Sequence, residues 1–256
     1  MGHLVDICDA NGIITSATTY AKEAFTSQMH YHENPHVSFV LQGGSILKRI
    51  GKEVELLPGN IEFCHAGETH QTIQKVFPSK NINLEIDIDF LKKHEISEAT
   101  IYKSITQNPD GKFLLLKMYK ELMANDYSSS VSINMLFLDL ISKFESPSHK
   151  KALPLWVKII NELMNERWNE KVTLNDLAAA TNLNPITISK NFRKYFSCTF
   201  GEYMRKLKIE KSISLIKSGT YSLTETAYAC NFADQSHFTR TFKELTGFLP
   251  KQYHKL

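Results

Sequence analysis

SLTETAYACNFADQSHFTRTFKELTGFLPKQY, residues 222–253, holds two short amphipathic runs separated by a tight turn. Leu223, Thr226 and Ala227 supply the inner face of the first run, with the small Ala227 where two helices must approach closely. Asn231 falls in the turn, and a short polar side chain there tolerates left-handed backbone. A second helix starting near Asp234 or Ser236 places Phe238 and Phe242 on one face and turns His237, Arg240, Thr241 and Lys243 elsewhere. Gly247 followed by Pro250 is the expected stop signal. Two short helices crossing at such a turn, the second carrying cationic and polar side chains, form the pattern that enters the DNA major groove.

The pattern occurs twice. Thr173-Leu174-x-x-Leu177-Ala178 matches Ser222-Leu223-x-x-Thr226-Ala227 at an offset of 49, and FRKYFSCTFGEY at 192–203 matches FKELTGFLPKQY at 242–253 at an offset of 50. An internal repeat of this kind argues against a chance match. In the first unit Asn184 caps the second helix, Ile188 and Phe192 face inward, and Asn182 and Ser197 stand where glycine would be common. Between the units, a helix over 200–218 has Phe200, Tyr203, Met204 and Leu207 on one side and Ile209, Ile213 and Ile216 on the other. Its apolar stripe changes face midway, as it must if each end packs on a different subdomain. Nineteen residues at about 1.5 Å each span roughly 28 Å, near the 34 Å of one DNA turn. Gly219 closes it.

The segment resembles the signature of the AraC/XylS family of bacterial transcription regulators, matched at Ala227, Phe232, Ser236, Phe238, Arg240, Phe242, Lys243, Gly247, Pro250 and Tyr253. It departs at Asn231, where the family usually has glycine. The resemblance maps base-reading positions onto Ile186, Ser189, Lys190, Gln235, His237 and Arg240; by side-chain chemistry Arg and Gln pair with guanine or adenine edges, whereas Lys190 or Arg193 grips phosphate. It implies double-stranded DNA, RNA polymerase and a small-molecule effector as partners, and activation as the mode of regulation.

Bulk properties agree with a two-domain globular chain. The 256 residues are 42% hydrophobic and 22% charged, long enough for two ordinary domains. No apolar run approaches the roughly 20 residues a membrane span needs, and the start lacks a secretory pattern. Cys8, Cys64, Cys198 and Cys230 are scattered without a CxxC pair, which points to free thiols in a cytoplasmic protein. The net charge of +3 divides unevenly: residues 154–256 carry 15 Lys+Arg against 9 Asp+Glu, net +6, and the remainder 15 against 18, net −3. A basic C-terminal part on an acidic N-terminal part suits a nucleic-acid module joined to something with another task.

The first 90 residues read as strands: 37–41 stopping at Gly43-Gly44, 45–50, then 54–57 ending at Pro58-Gly59, and a strictly alternating run over 82–90. In that run Ile82, Leu84, Ile86, Ile88 and Phe90 face one way and Asn83, Glu85, Asp87 and Asp89 the other, so one face is buried and one wet. Short strands with Gly/Pro turns predict an antiparallel barrel or jelly roll. His30, His32 and His36 lie in HYHENPH and His70 follows later. This part resembles the cupin family: His30, His32 and Gly43 fit its first motif, with His36 in the glutamate position. Gly59, Gly67 and His70 fit its second, with His65 where proline is usual. Imidazoles suit Zn, Fe, Ni or Cu, so the four histidines hold a divalent metal, line an effector pocket as in metal-free sensor cupins resembling the arabinose-binding type, or serve only in packing the barrel. A metal-sensing regulator, and a metal-dependent cupin enzyme fused to a DNA-binding domain, are the alternatives this leaves open.

Helices are predicted at 96–105, from Phe113 through Leu122, and at 131–144 after a cap among Ser128, Ser129 and Ser130. The last carries Met135, Leu136, Leu138, Leu140 and Ile141, enough to cover the barrel, meet a second copy, or both; the resemblance implies a homodimer. A further helix over 155–168 opens the C-terminal part. The expected fold is α+β with two domains: a cupin-type antiparallel barrel with flanking helices at 1–145, a polar linker at 146–153, and an all-α double helix-turn-helix domain at 154–256. No catalytic residue is expected.

Overall fold

The computed structural model describes residues 3–21, 27–142 and 153–256. They fall into two compact units, one chiefly within 1–145 and one chiefly within 146–254. All of the expected linker except Leu153 lies outside the described residues, as does Phe144.

In the first unit six strands make one antiparallel sheet: β1 (His3–Asp9), β2 (Ile13–Tyr20), β3 (His36–Arg49), β4 (Lys52–Leu56), β5 (Ile61–Cys64) and β6 (His70–Ile86). Hydrogen bonds run in the order β1-β2-β6-β3-β4, with β5 on the first half of β3, so the path does not close into a complete ring. β1 and β2 are strands that the sequence reading left unassigned.

Two expected boundaries shift for identifiable reasons. The chain does not stop at Gly43-Gly44 but continues through both as β3, while its pairing with β6 slips between Val40 and Ser45. Gly43 sits at φ +82°, and a Cβ there would lie 2.5 Å from Val76 O and 2.7 Å from Ser79 Cα. Glycine therefore lets the strand pass through a bulge instead of ending. The run at 82–90 is strand only to Ile86. Asp87 Oδ1 then accepts from the backbone N–H of Asp89 at 2.6 Å and of Phe90 at 3.4 Å, starting α1 (Ile88–Lys93). An N-capping aspartate overrides the alternation.

Among the described residues four helices follow in this unit, α1, α2 (Glu98–Thr106), α3 (Gly111–Ala124) and α4 (Ser129–Ser142); α3 packs on β1 and β2, α2 on β5, and α4 on α2 and α3. Lys80 Nζ lies 5.3 Å from the ring of the buried Tyr119 on α3. Asn134 Nδ2 on α4 donates to Ala10 O at 2.7 Å, and Phe137 meets Phe90 of α1 at 6.1 Å between ring centroids. Ser128 stands directly before α4, its N–H donates to Asp126 Oδ1 at 2.8 Å, and Asp126 N donates to Ser129 Oγ at 2.9 Å. Ile133, Phe137, Leu140 and Ile141 are buried, whereas Val131, Met135 and Leu138 form an exposed stripe at helical spacing.

The second unit is helical: α5 (Leu155–Glu166), α6 (Leu174–Thr181), α7 (Pro185–Phe196), α8 (Phe200–Ser218), α9 (Leu223–Ala229), α10 (Gln235–Thr246) and α11 (Pro250–Lys255). Capping boxes start three of them, pairing Thr173 with Asp176, Thr199 with Glu202 and Ser222 with Glu225. Asn182 and Asn231, each at φ 54°, and Ser197 at φ 59° adopt the left-handed backbone expected of these turns. Met204 and Leu207 of α8 join the first core with Ile160, Leu177, Ile188 and Phe192. Ile209, Ile213 and Ile216 are buried on the other face, and α8 contacts α9 and α10 as well as α7.

Candidate effector cavity and nucleic-acid interface

The alternation of β3 and β6 turns one row of polar side chains, Ser38 and Ser45 with Asn81 and Asn83, toward a common cavity. The face of β6 read as wet from sequence lines a cavity of about 280 Å³ through Asn81 and Asn83. His30, His32, His36 and His70 line the same cavity, and the short bridge between His30 and His70 holds the first against the last, with N–H···O distances of 2.9 and 2.8 Å. The ring of His32 lies 5.2 Å from those of His30 and His70 and 4.6 Å from that of His36, measured between centroids. Val40, Leu47 and Leu56 form an apolar patch in the lining.

The hydrogen bonds separate the four histidines into three and one. His30 Nδ1 donates to Gln28 O at 2.8 Å and His70 Nδ1 to Glu68 O at 3.0 Å, which leaves the Nε2 lone pair of each free. Backbone carbonyls fix metal-binding imidazoles in this way. One ligand atom each from His30, His32 and His70 lies within 4.8 Å of the others. Burial and the neighbouring imidazoles lower the pKa of His32, and burial lowers that of His70, so both rings are neutral donors at neutral pH. His36 differs: its Nε2 meets Ser38 Oγ at 3.1 Å, and Ser38 Oγ donates to Asn83 Oδ1 at 2.8 Å. Burial drives the His36 pKa down to about 3. The donor set fits a three-imidazole metal site with His36 outside it.

A second layer supports this wall. Arg49 pairs with Glu62 and with Glu68 Oε1, the latter at 2.7 Å, and Glu68 Oε2 accepts from His65 N at 2.9 Å. Those contacts pin the turn that delivers His70. His65 itself faces away, pairing with Glu98 Oε2 of α2 at 2.6 Å. Burial pushes the Cys64 thiol up to about 11, so it lines the cavity uncharged.

In the helical unit α7 and α10 each bury one face and expose the other. Ile188, Phe192, Phe238 and Phe242 are buried, while Ile186, Ser189, Lys190, Arg193, Gln235, His237 and Arg240 are exposed. Thr241, read as outward, is a correction: it is buried against the helical core, one position beyond the exposed arc. Thr187 and Ser236 share the exposed face and were not among the expected DNA contacts, although the offset of 50 pairs them with His237 and Ile186.

A family model described as a helix-turn-helix domain matches residues 177–255, from within α6 through the whole second unit. The chain is 28% identical over 86% of its length to the uncharacterized HTH-type transcriptional regulator YijO of Escherichia coli K12, covering 81% of that protein. It is 26% identical to the uncharacterized HTH-type transcriptional regulator YbfI of Bacillus subtilis 168, over 81% of this chain and 80% of that one. The HTH-type transcriptional activator RhaS of Escherichia coli O139:H28 is 23% identical over 54% of this chain and 51% of its own length.

Proposed function

We propose that this protein is a ligand-responsive, sequence-specific DNA-binding regulator of transcription, and that it activates. The observation that carries the reading is the pair of helix-turn-helix units, each with left-handed turn residues and an exposed second helix, joined by the uninterrupted α8. Base-edge contacts come from Ile186, Ser189, Lys190, Gln235, His237 and Arg240, and phosphate contacts from Arg193. The name of RhaS as an activator supports activation, which would bring RNA polymerase as a further partner.

The cavity of the first unit receives the effector, with His30, His32, His36 and His70 on its wall. His30, His32 and His70 would hold a divalent metal, which when bound supplies an electrophilic anchor for an effector oxygen or nitrogen. A second reading, in which the metal is itself the signal, is favoured by the same free Nε2 atoms. The stripe of Val131, Met135 and Leu138 supports a homodimer. The domains are taken as 1–145 and 154–256 joined by 146–153, and the free thiols support a cytoplasmic location. No helix among the described residues is long and apolar enough to cross a membrane.

The test is selection by the purified full-length chain from a pool of random duplexes, followed by titrations at several salt concentrations. Enrichment of one sequence with a steep salt slope is expected. Binding that favours no sequence would sink the proposal.

A further inference from the structure

Gln235 is the first residue of α10, and its amide is already engaged. Thr224 Oγ1 on α9 donates to Gln235 Oε1 at 2.6 Å, and both side chains are exposed. A free glutamine carries one acceptor and two donors, the combination that matches N7 and the N6 amino group of adenine. With its carbonyl turned back to α9 by Thr224, this glutamine presents its amino group outward. Two N–H donors suit the neighbouring acceptors N7 and O6 of guanine, whereas over adenine one of them would face another N–H.

We propose that Thr224 is a specificity-determining positioning residue, which makes Gln235 a donor-only reader and sets guanine over adenine at the base beneath the N-terminus of α10. The inference rests on DNA binding by the second helix-turn-helix unit. The first unit lacks the device: Asn175 and Pro185 occupy the corresponding places, and proline offers no side-chain donor. The two units therefore read their half-sites by different chemistry despite their common origin in one repeat.

The experiment uses the full chain and the duplex that it selects from a random pool. Affinities of wild type, Thr224→Val, Thr224→Ser and Gln235→Ala are measured on four duplexes that differ only at the position whose selectivity Gln235→Ala removes. Wild type and Thr224→Ser are expected to favour guanine over adenine by at least about fivefold. Thr224→Val should bring the two within about twofold or reverse them, with selectivity elsewhere in the site unchanged. A wild-type ratio in Thr224→Val overturns the proposal. So does a wild-type preference for adenine or cytosine, which would mean that the amide donates to Thr224 and turns its carbonyl outward. A Gln235→Ala protein with full selectivity at every position also overturns it. Those outcomes leave DNA binding standing, whereas a wild-type chain that enriches no sequence removes the functional reading and this inference together.

Discussion

His36 lies flat against His32, with ring centroids 4.6 Å apart and planes 8° from parallel, while its Nε2 turns away to Ser38. The stacked ring orients His32 without offering a ligand atom of its own to the cluster formed by His30, His32 and His70. His70→Ala should therefore abolish stoichiometric Zn²⁺ binding. His36→Ala should leave one ion per chain and weaken it by roughly 10–100-fold, the usual effect of a supporting residue. Zinc titration against a competing chelator decides, and equal loss in both variants would make His36 a ligand.

Arg240 is exposed between the buried Phe238 and Phe242, and Lys190 occupies the matching place between Ile188 and Phe192. A guanidinium fork can hold guanine bidentately, whereas an ammonium is a single flexible point charge. Arg240→Ala should cost roughly tenfold or more in DNA affinity. If Arg240 reads a base, the loss concentrates on duplexes with the preferred base at one position. If it grips phosphate, the loss is uniform and the salt slope falls by about one. Wild-type affinity on every duplex would place Arg240 outside the interface.

Gly43 sits at φ +82° with backbone on the side where a Cβ would go. Gly43→Ala forces both a left-handed alanine and a clash with Val76 O, so the β3 bulge must shift. A loss on the order of 2 kcal/mol or more is expected in urea denaturation. An unchanged midpoint would show that the strand passes this point in another conformation.

The three capping-box carboxylates carry a pH signature. Hydrogen bonds from Ser222 and Thr173 hold Glu225 and Asp176 below their ordinary pKa values, and the Thr199 backbone N–H does the same for Glu202. Depressed folded values mean that this stability is complete above the unfolded carboxylate range and is lost as pH falls through the folded values. The Ser222→Ala variant should melt below wild type at pH 7, and the gap should narrow at pH 3. A gap independent of pH would assign the effect to the serine alone.

Much of the helical unit was written locally. Capping pairs three residues apart, stop residues and the switch in apolar face along α8 are short-range signals, so the helices could be placed from the chain alone. The repeat even marked the recognition faces, and Thr241 was misread because one residue of helix is 100° of arc and decides between core and solvent. The sensor unit was less legible. Its histidines, motif spacing and strand alternation were readable, but the alternation could not say that the polar face of β6 looks into a cavity. Nor could it show that β3 passes through Gly43, because that depends on backbone 33 residues further along the chain at Val76. What the sequence by itself determined was the set of elements and the residue types available for chemistry. Which nitrogen each histidine leaves free, and which way Gln235 points its amide, were decided only by partners on other elements, since a hydrogen bond to a distant group fixes an orientation that local spacing leaves undefined.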